Sequence, residues 1–456
     1  MIMKTLQTLV AALAILAGVS AAAQDPVSSR DRAIVIEHVN VITMENEQVL
    51  TDQTVVVENG IVTSIGRNVQ KKAGALTVDG RGKWLIPGLA EMHAHIPPID
   101  DLAPMKEVLL LFAANGITTI RGMLGHPRHL ELRSMLERGE ILGPRFFTTG
   151  PSFNGMSVTS PGAGAAMVIR QKQQGYDFLK LHPGLTRAKF DSIATTAKEV
   201  GIPFVGHVSF GVGVWHAIAS GYSSIDHLDG FIEGLVPGIE RRTEQEAGLF
   251  GLFIAHEADT SRIPELTKAL KEKGIWVVPT QALAERWLSP DFNGEAFRND
   301  PNARYIKPAV VEQWITTKNN LVNNAQYNAE RARAFVGLRR KLIKACHDTG
   351  VGLLLGCDAP QVFNVPGFAT HQELAYLVKS GLTPYEALRT GTVNVATYLR
   401  IPDSGIIRKG AVADLVLVGA NPLDNIEATQ DIKGVMLHGT WLSREYLDRE
   451  LKKLAP

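Results

Sequence analysis

WLIPGLAEMHAHIPP, residues 84–98, decides the fold. WLIP reads as a buried strand that runs into Pro87-Gly88, and GLAEMHAH (88–95) as a second apolar strand ending on His93-Ala94-His95. Side chains two apart on an extended chain point to one side, so both imidazoles emerge together. Neutral imidazole suits zinc and similar divalent ions. In parallel barrels, catalytic groups collect at the C-terminal ends of strands, which is where this pair sits.

Downstream, short apolar runs alternate with amphipathic stretches. ITTIRGM (117–123), RFFTTG (145–150), FLKLH (178–182), PFVGHV (203–208), SSIDHL (223–228), IWVVPT (275–280) and GLLLGCD (352–358) follow GLAEMHAH, which makes eight expected strands. Helices such as 188–200 and 333–347 fill the gaps. Eight βα units predict an α/β chain of TIM type, a (β/α)8 barrel over residues 87–403. Upstream, AIVIEHVNVI and QTVVVENGIVTSIG read as strands, with Asn59-Gly60 a hairpin signal. The same texture returns in GIIRKGAVADLVLVG and IKGVMLHGTWL after residue 404. Residues 24–86 and 404–456 are therefore expected to build one small β-sandwich domain from both chain ends. The connection 281–332 is abnormally long, polar and carries Trp287 and Trp314. It is expected to be a long loop after strand seven, acting as a lid or substrate wall, with a packing insertion as the other reading.

Composition narrows the function. Among 456 residues, 47 Lys and Arg balance 46 Asp and Glu. That balance excludes a broad basic field for nucleic acid, an acidic tail and a polybasic membrane surface. Hydrophobic residues at 45% and charged residues at 20% make a globular composition. Residues 1–23 read as a signal peptide: Lys4, then LVAALAILAGVSAAA, with Ala21 and Ala23 in the small-x-small pattern. The expectation is an exported, periplasmic or extracellular protein without a stable membrane anchor. The two cysteines, Cys346 and Cys357, read as structural, and whether they pair is open.

The chemistry-bearing residues recur at strand ends. His207 ends GIPFVGHV and His227 ends GYSSIDHL. One such histidine is ordinarily a core residue, but two on consecutive strands of a barrel already carrying His-x-His point to a site. Asp358 ends LLLGCDAP, where a buried carboxylate is costly unless paired or bound to metal. Lys180 falls inside an interior strand, where lysine is rare. It reads either as a lysine snorkelling past the strand end or as an amine that has captured carbon dioxide as a carbamate.

This ordered set, HxH, Lys, His, His and Asp, resembles the amidohydrolase superfamily over nearly all of the chain after the leader. The resemblance is to its two-metal subgroup with a carboxylated lysine, near the Xaa-Pro dipeptidases and the imidazolonepropionase-like proteins. GIIRKGAVADLVLVGANPLDNI is similar to the family's closing stretch. The resemblance implies two divalent metal ions, zinc first, with cobalt or manganese also accepted by such ligands. It implies one metal on His93, His95 and Asp358, a second on His207 and His227, and carboxylated Lys180 with a hydroxide between them. Asp358 would carry the catalytic proton. The chain departs from the family where HAYG becomes His207-Val208-Ser209-Phe210 and IEHG becomes Ile225-Asp226-His227-Leu228, followed by Asp229. Glu91 replaces the usual Asp before HxH, and Arg121-Gly122 the usual Arg-Asp. These changes fall on the pocket, so dipeptide specificity does not carry over.

Around this set, His182 shares the strand face of Lys180 and is a candidate neighbour of the site. Arg121, Arg128, Arg286 and Trp287 fall on or after strand ends, and one arginine is expected to clamp a substrate carboxylate. The leading function is a binuclear metal-dependent amidohydrolase that cleaves a C–N bond in a small molecule such as a dipeptide or N-acyl amino acid. The alternatives are ester, lactone or phosphotriester hydrolysis at the same site and, more remotely, a non-catalytic metal-binding barrel. Homo-oligomerisation is left open by the residues.

Overall fold

The structure, a computed structural model, describes residues 25–455 apart from Lys71. The expected leader, 1–23, lies outside the described residues. Seven strands line the barrel: β1 (Leu89–Ala94), β2 (Ile117–Gly122), β3 (Arg145–Thr148), β4 (Leu179–Leu181), β5 (Phe204–Gly206), β6 (Ser224–Asp226) and β7 (Trp276–Val278). They form two parallel arcs, β1-β2-β3 and β4-β5-β6-β7. Single bridges, Thr149 to Phe178 and Phe153 to Leu181, join the arcs.

The expected eighth strand, 352–358, closes the ring without becoming a regular ladder. It meets β7 through Val277 N to Gly352 O and Leu354 N to Val277 O, both 2.9 Å. It meets β1 through Met92 N to Leu355 O, 2.8 Å, and the ring shuts where His95 N donates to Ala359 O, 2.8 Å. The backbone leaves the extended region at Asp358, whose φ is 65°. A ladder cannot continue through that conformation, and the turn aims the carboxylate into the barrel mouth.

Helices on the outside follow local rules. Arg187–Val200 starts where Thr186 Oγ1 accepts from Lys189 N and stops at left-handed Gly201. It buries Phe190, Ile193, Ala194 and Ala197, one stripe at helical spacing.

Strands from both chain ends share one nine-stranded sheet. Leu415–Val418 pairs antiparallel with Trp84–Pro87, which pairs in parallel with Ile34–Ile42. The sheet curls over its own core, in which Ile36, Val55, Leu85, Leu417, Met436 and Trp441 meet. Asn59 and Gly60, φ 51° and 78°, make the tight turn of the hairpin between Val49–Glu58 and Ile61–Gly66.

The stretch 281–332 is not a polar loop. It holds several short helical turns and the helix Pro308–Val322. Phe297, Val311, Trp314 and Ile315 pack with Val362, Phe363 and Val365 into a separate apolar cluster. Buried Lys318 ties the helix down by donating to the carbonyls of Arg286, Trp287 and Ser289, at 2.9, 3.1 and 2.7 Å. The apolar residues here are too widely spaced along the chain to read as one core before they are brought together. Cys346 and Cys357 are both free and buried.

Candidate active site

His93 leaves the end of β1, Lys180 the middle of β4, and His207 and His227 the residues just beyond β5 and β6. With Asp358 and His95 they converge at the C-terminal mouth of the barrel. Ring centroids of His93 and His227 lie 4.4 Å apart, as do those of His207 and His227. His93 and His95 are 5.4 Å apart. Lys180 Nζ stands 3.3 Å from His93 Nε2. Ligand atoms of His93, His227 and Asp358 all fall within 4.8 Å of one another.

Close backbone approaches make room for this. A Cβ on Gly206 would sit 2.5 Å from Leu181 O and 2.8 Å from Lys180 Cδ. A Cβ on Gly356 would sit 2.9 Å from His93 N. Only glycine lets the two chains pass at those points.

The outward sides of His207 and His227 are held, and His93 has a carboxylate beside it. His207 Nδ1 donates to Asp229 Oδ2 at 2.8 Å, and His227 Nδ1 hydrogen-bonds with Thr280 Oγ1 at 2.9 Å. His93 Nδ1 lies 2.9 Å from Asp226 Oδ2. Partners of this kind fix the ring and leave the other nitrogen free for a metal. Arg339 fixes the backbone behind the site, donating to His227 O and, at 2.7 Å, to Pro279 O. Glu91 fastens β1 to the closing segment. Its Oε1 accepts from His93 N (3.0 Å) and Cys357 N (2.9 Å), and its Oε2 accepts from Thr370 Oγ1 (2.8 Å).

The electrostatics favour neutral ligands. Burial, and then the Lys180 charge, pushes His207 down to about 3. Burial holds His93 and His227 well below the ordinary imidazole range. Burial also pushes Lys180 down to about 8, so its amine gives up its proton more readily than an exposed lysine's. Among the described residues, His227 Nε2 and Asp358 Oδ1 are buried without a hydrogen-bond partner. His95 Nε2 is only 2.6 Å from Asp358 Oδ1, yet the two are not aligned as a hydrogen bond. Converging, unpaired lone pairs on nitrogen and carboxylate oxygen are the donor set of a divalent cation. The residues present fit such an ion.

The other expected residues divide. His182 stacks on His207 with centroids 5.1 Å apart, at the edge of the site. Arg121 cannot clamp a substrate. It is fully buried and donates to Met92 O (2.8 Å), Ser224 Oγ (3.0 Å), Tyr398 Oη (3.1 Å) and Asp226 Oδ1 (3.3 Å). Arg286 is 4% exposed, bonds Gln372, and lies over the rings of Phe292 and Phe297 at 4.8 and 5.4 Å. Trp287 packs between the main core and the cluster of the 281–332 insertion. Arg128 pairs with Glu131 on the helix Pro127–Glu137. The clamp expectation fails for Arg121, because its donors are spent on the protein itself. Sequence reasoning missed the supporting roles of Asp226, Asp229 and Thr280. Asp226 and Asp229 bracket His227 in the sequence, and that departure from the family pattern was the available signal.

Comparison with known proteins agrees with this architecture. An ochratoxinase of Aspergillus niger is 23% identical over 451 residues, covering 90% of this chain and 86% of that protein. Among solved structures, a bottromycin amidohydrolase superposes with a TM-score of 0.70 at 22% identity, covering 94% of this chain and 91% of that one. A Xaa-Pro dipeptidase with bound methionine superposes with a TM-score of 0.64 at 20% identity, covering 90% of this chain and all of that one. These likenesses show the fold, a TIM barrel with a small β domain. The model of the amidohydrolase family matches residues 84–442, most of the chain, and the protein is a hydrolase belonging to that family.

Proposed function

We propose that this hydrolase cleaves the C–N amide bond of a small molecule with two divalent cations, zinc first, held by His93, His95, Lys180, His207, His227 and Asp358. The observation that carries the reading is the convergence of these six side chains, with His227 Nε2 and Asp358 Oδ1 left unpaired in a buried mouth. Cations bound there supply hydroxide at neutral pH and a Lewis acid for the scissile carbonyl. The protein's own groups do the rest. Asp358, at the closing turn, accepts the proton of the attacking water as the C–O bond forms. It returns that proton to the amine nitrogen as the C–N bond breaks. Asp229 and Thr280 hold the rings of His207 and His227 in place throughout. Lys180, buried and with Nζ 3.3 Å from His93 Nε2, would carry a carbamate on this reading. Relatives named as an amidohydrolase and a dipeptidase support an amide over an ester, lactone or phosphotriester.

The test combines metal analysis with turnover. Zinc-loaded protein is expected to carry two metals per chain and to release free amine from members of a panel of dipeptides and N-acyl amino acids. Release from esters or lactones alone would refute the amide reading, and one metal per chain would refute the binuclear one. The leader-like residues 1–23 place the protein outside the cytoplasm on the same proposal, and mass spectrometry of secreted material starting at Gln24 would test it.

A further inference from the structure

A cavity of about 590 Å³ opens beside His207. Asp229 and Phe250 connect it to the site, since Asp229 bonds His207 and Phe250 stacks on His227 with centroids 5.3 Å apart. Phe250 holds that position with φ at 57°, a conformation that costs a bulky residue on the order of 1–3 kcal/mol and is kept only where packing imposes it. Beyond these residues the wall carries Glu233, Glu240 and Glu244, together with Phe210, and neither Lys nor Arg. The whole chain is nearly balanced in charge, so this one-sided lining is local.

Glu233 is the informative member. It stands on the short helix Phe231–Leu235, and its Oε2 is buried without a hydrogen-bond partner. The helix is pinned: Trp215 Nε1 donates to Gly234 O at 2.9 Å, and a Cβ on Gly234 would meet Val214 Cγ1 at 2.3 Å. Nearby arginines do not hydrogen-bond the carboxylate, although the Arg339 charge acts on it. Arg339 spends its donors on His227 O, Pro279 O and Gln281 Oε1, and Arg262 on Gly234 O and Glu265. The carboxyl takes the backbone N–H of its own residue, and Oε2 is left as a buried acceptor without a donor, which is costly. Burial, and then the Asp229 charge, pushes Glu233 up to about 8, against the smaller pull of its own backbone N–H and of the Arg339 charge.

We propose that Glu233 determines specificity by receiving a cationic group of the substrate, a primary ammonium, while Phe210 and Phe250 enclose the apolar chain that carries it. The inference rests on the amide reading for the reaction and adds the substrate class: amides with a free amine on the portion lying beyond His207. A carboxylate facing an ammonium makes a charge-assisted hydrogen bond, stronger than one between neutral groups. The ammonium could be an α-amine or an ω-amine, so both belong in the test.

Matched pairs are assayed with wild type and Glu233→Gln: a free-amine dipeptide with its N-acetyl form, and an ω-aminoacyl amide with its N-acetyl form. In wild type, kcat/KM should favour the free amine of at least one pair by about tenfold or more. In Glu233→Gln the KM of that member should rise about tenfold with kcat nearly held, and the N-acetyl form should be unmoved. Whichever pair responds identifies the α- or ω-amine. Equal kcat/KM within both pairs in wild type, or an unchanged preference in the variant, overturns the proposal. Binding by calorimetry separates this from the amide reading. Hexylguanidinium, which has no free lone pair for a metal, should bind wild type at least about tenfold tighter than neutral hexylurea, and Glu233→Gln should erase the difference. A silent amide panel with that binding contrast refutes the amide reading and sustains the cation site. Equal binding of the two probes to wild type overturns the site, even where the variant fails to fold.

Discussion

Two clusters of charged side chains are buried inside this barrel, and they are satisfied in opposite ways. Deeper in the barrel, Arg121 lies between the rings of Phe178 and Tyr398 at 5.5 and 5.6 Å and spends its donors on Met92 O, Ser224, Tyr398 and Asp226. At the mouth, imidazole and carboxylate lone pairs face one another, and His227 Nε2 and Asp358 Oδ1 have no partner. The first cluster is closed on itself and belongs to stability. The second is open and belongs to chemistry, because its unmet electrostatics are met by something bound. Asp226 touches both, with Arg121 on one side and His93 on the other.

The largest effect should come from the junction of the two clusters. Lys180→Ala is expected to lower kcat/KM by about a thousandfold or more and to lose metal, with partial rescue by a short-chain carboxylic acid. Full activity in the unrescued variant would end the bridging role. Next, Arg121→Met leaves Asp226 buried without its cation and should destabilise the fold by about 3–5 kcal/mol. Denaturant unfolding checks this. A variant with unchanged stability but a raised KM would make Arg121 a substrate clamp after all and dissolve the contrast between the clusters.

A smaller effect is expected from Asp229→Asn, which keeps the shape beside His207 but weakens the hold on its ring. Metal affinity should fall about 10- to 100-fold with little change in unfolding midpoint. Competition with a chelator measures it. The smallest effect on activity concerns histidines in neither cluster. Burial pushes His371 and His129 down to about 4 from the ordinary 6.5. Between those values the unfolded chain binds protons that the folded chain refuses. Stability is therefore full above 6.5 and is lost as pH falls toward 4. Each contributes at most roughly 3 kcal/mol across that window. Urea midpoints should fall over the window in wild type and fall less in His371→Gln. A flat wild-type profile would contradict the burial argument.

Much of the barrel was legible because period and punctuation act locally. β-branched runs such as ITTIRG made strands, and the Thr186 cap with Gly201 bounded a helix near where the pattern placed it. The six candidate ligands were legible for a different reason: imidazoles, a lysine and a carboxylate at the ends of apolar runs are too costly to place there without use. Arg121 misled because the same cost argument has two outcomes. A buried guanidinium can meet a substrate or meet the protein, and only the positions of Asp226, Ser224 and Tyr398, up to 277 residues away, decide between them. The 281–332 insertion misled because its apolar residues pack with Val362, Phe363 and Val365 beyond the next helix.

By itself, then, the sequence determined the alternation of strands and helices, the pairing of both chain ends into a β domain, and which residues were candidates to bind metal. Each depends on backbone periodicity or on the chemistry of single side chains. Tertiary structure alone decided that 352–358 closes the ring by a turn at Asp358 instead of a ladder. It alone decided that Asp226, Asp229 and Thr280 orient the imidazoles, and that Glu233 faces a cavity with no cation opposite it. Those features depend on which donors and acceptors meet across the barrel, and hydrogen bonds between distant residues leave no period in the chain.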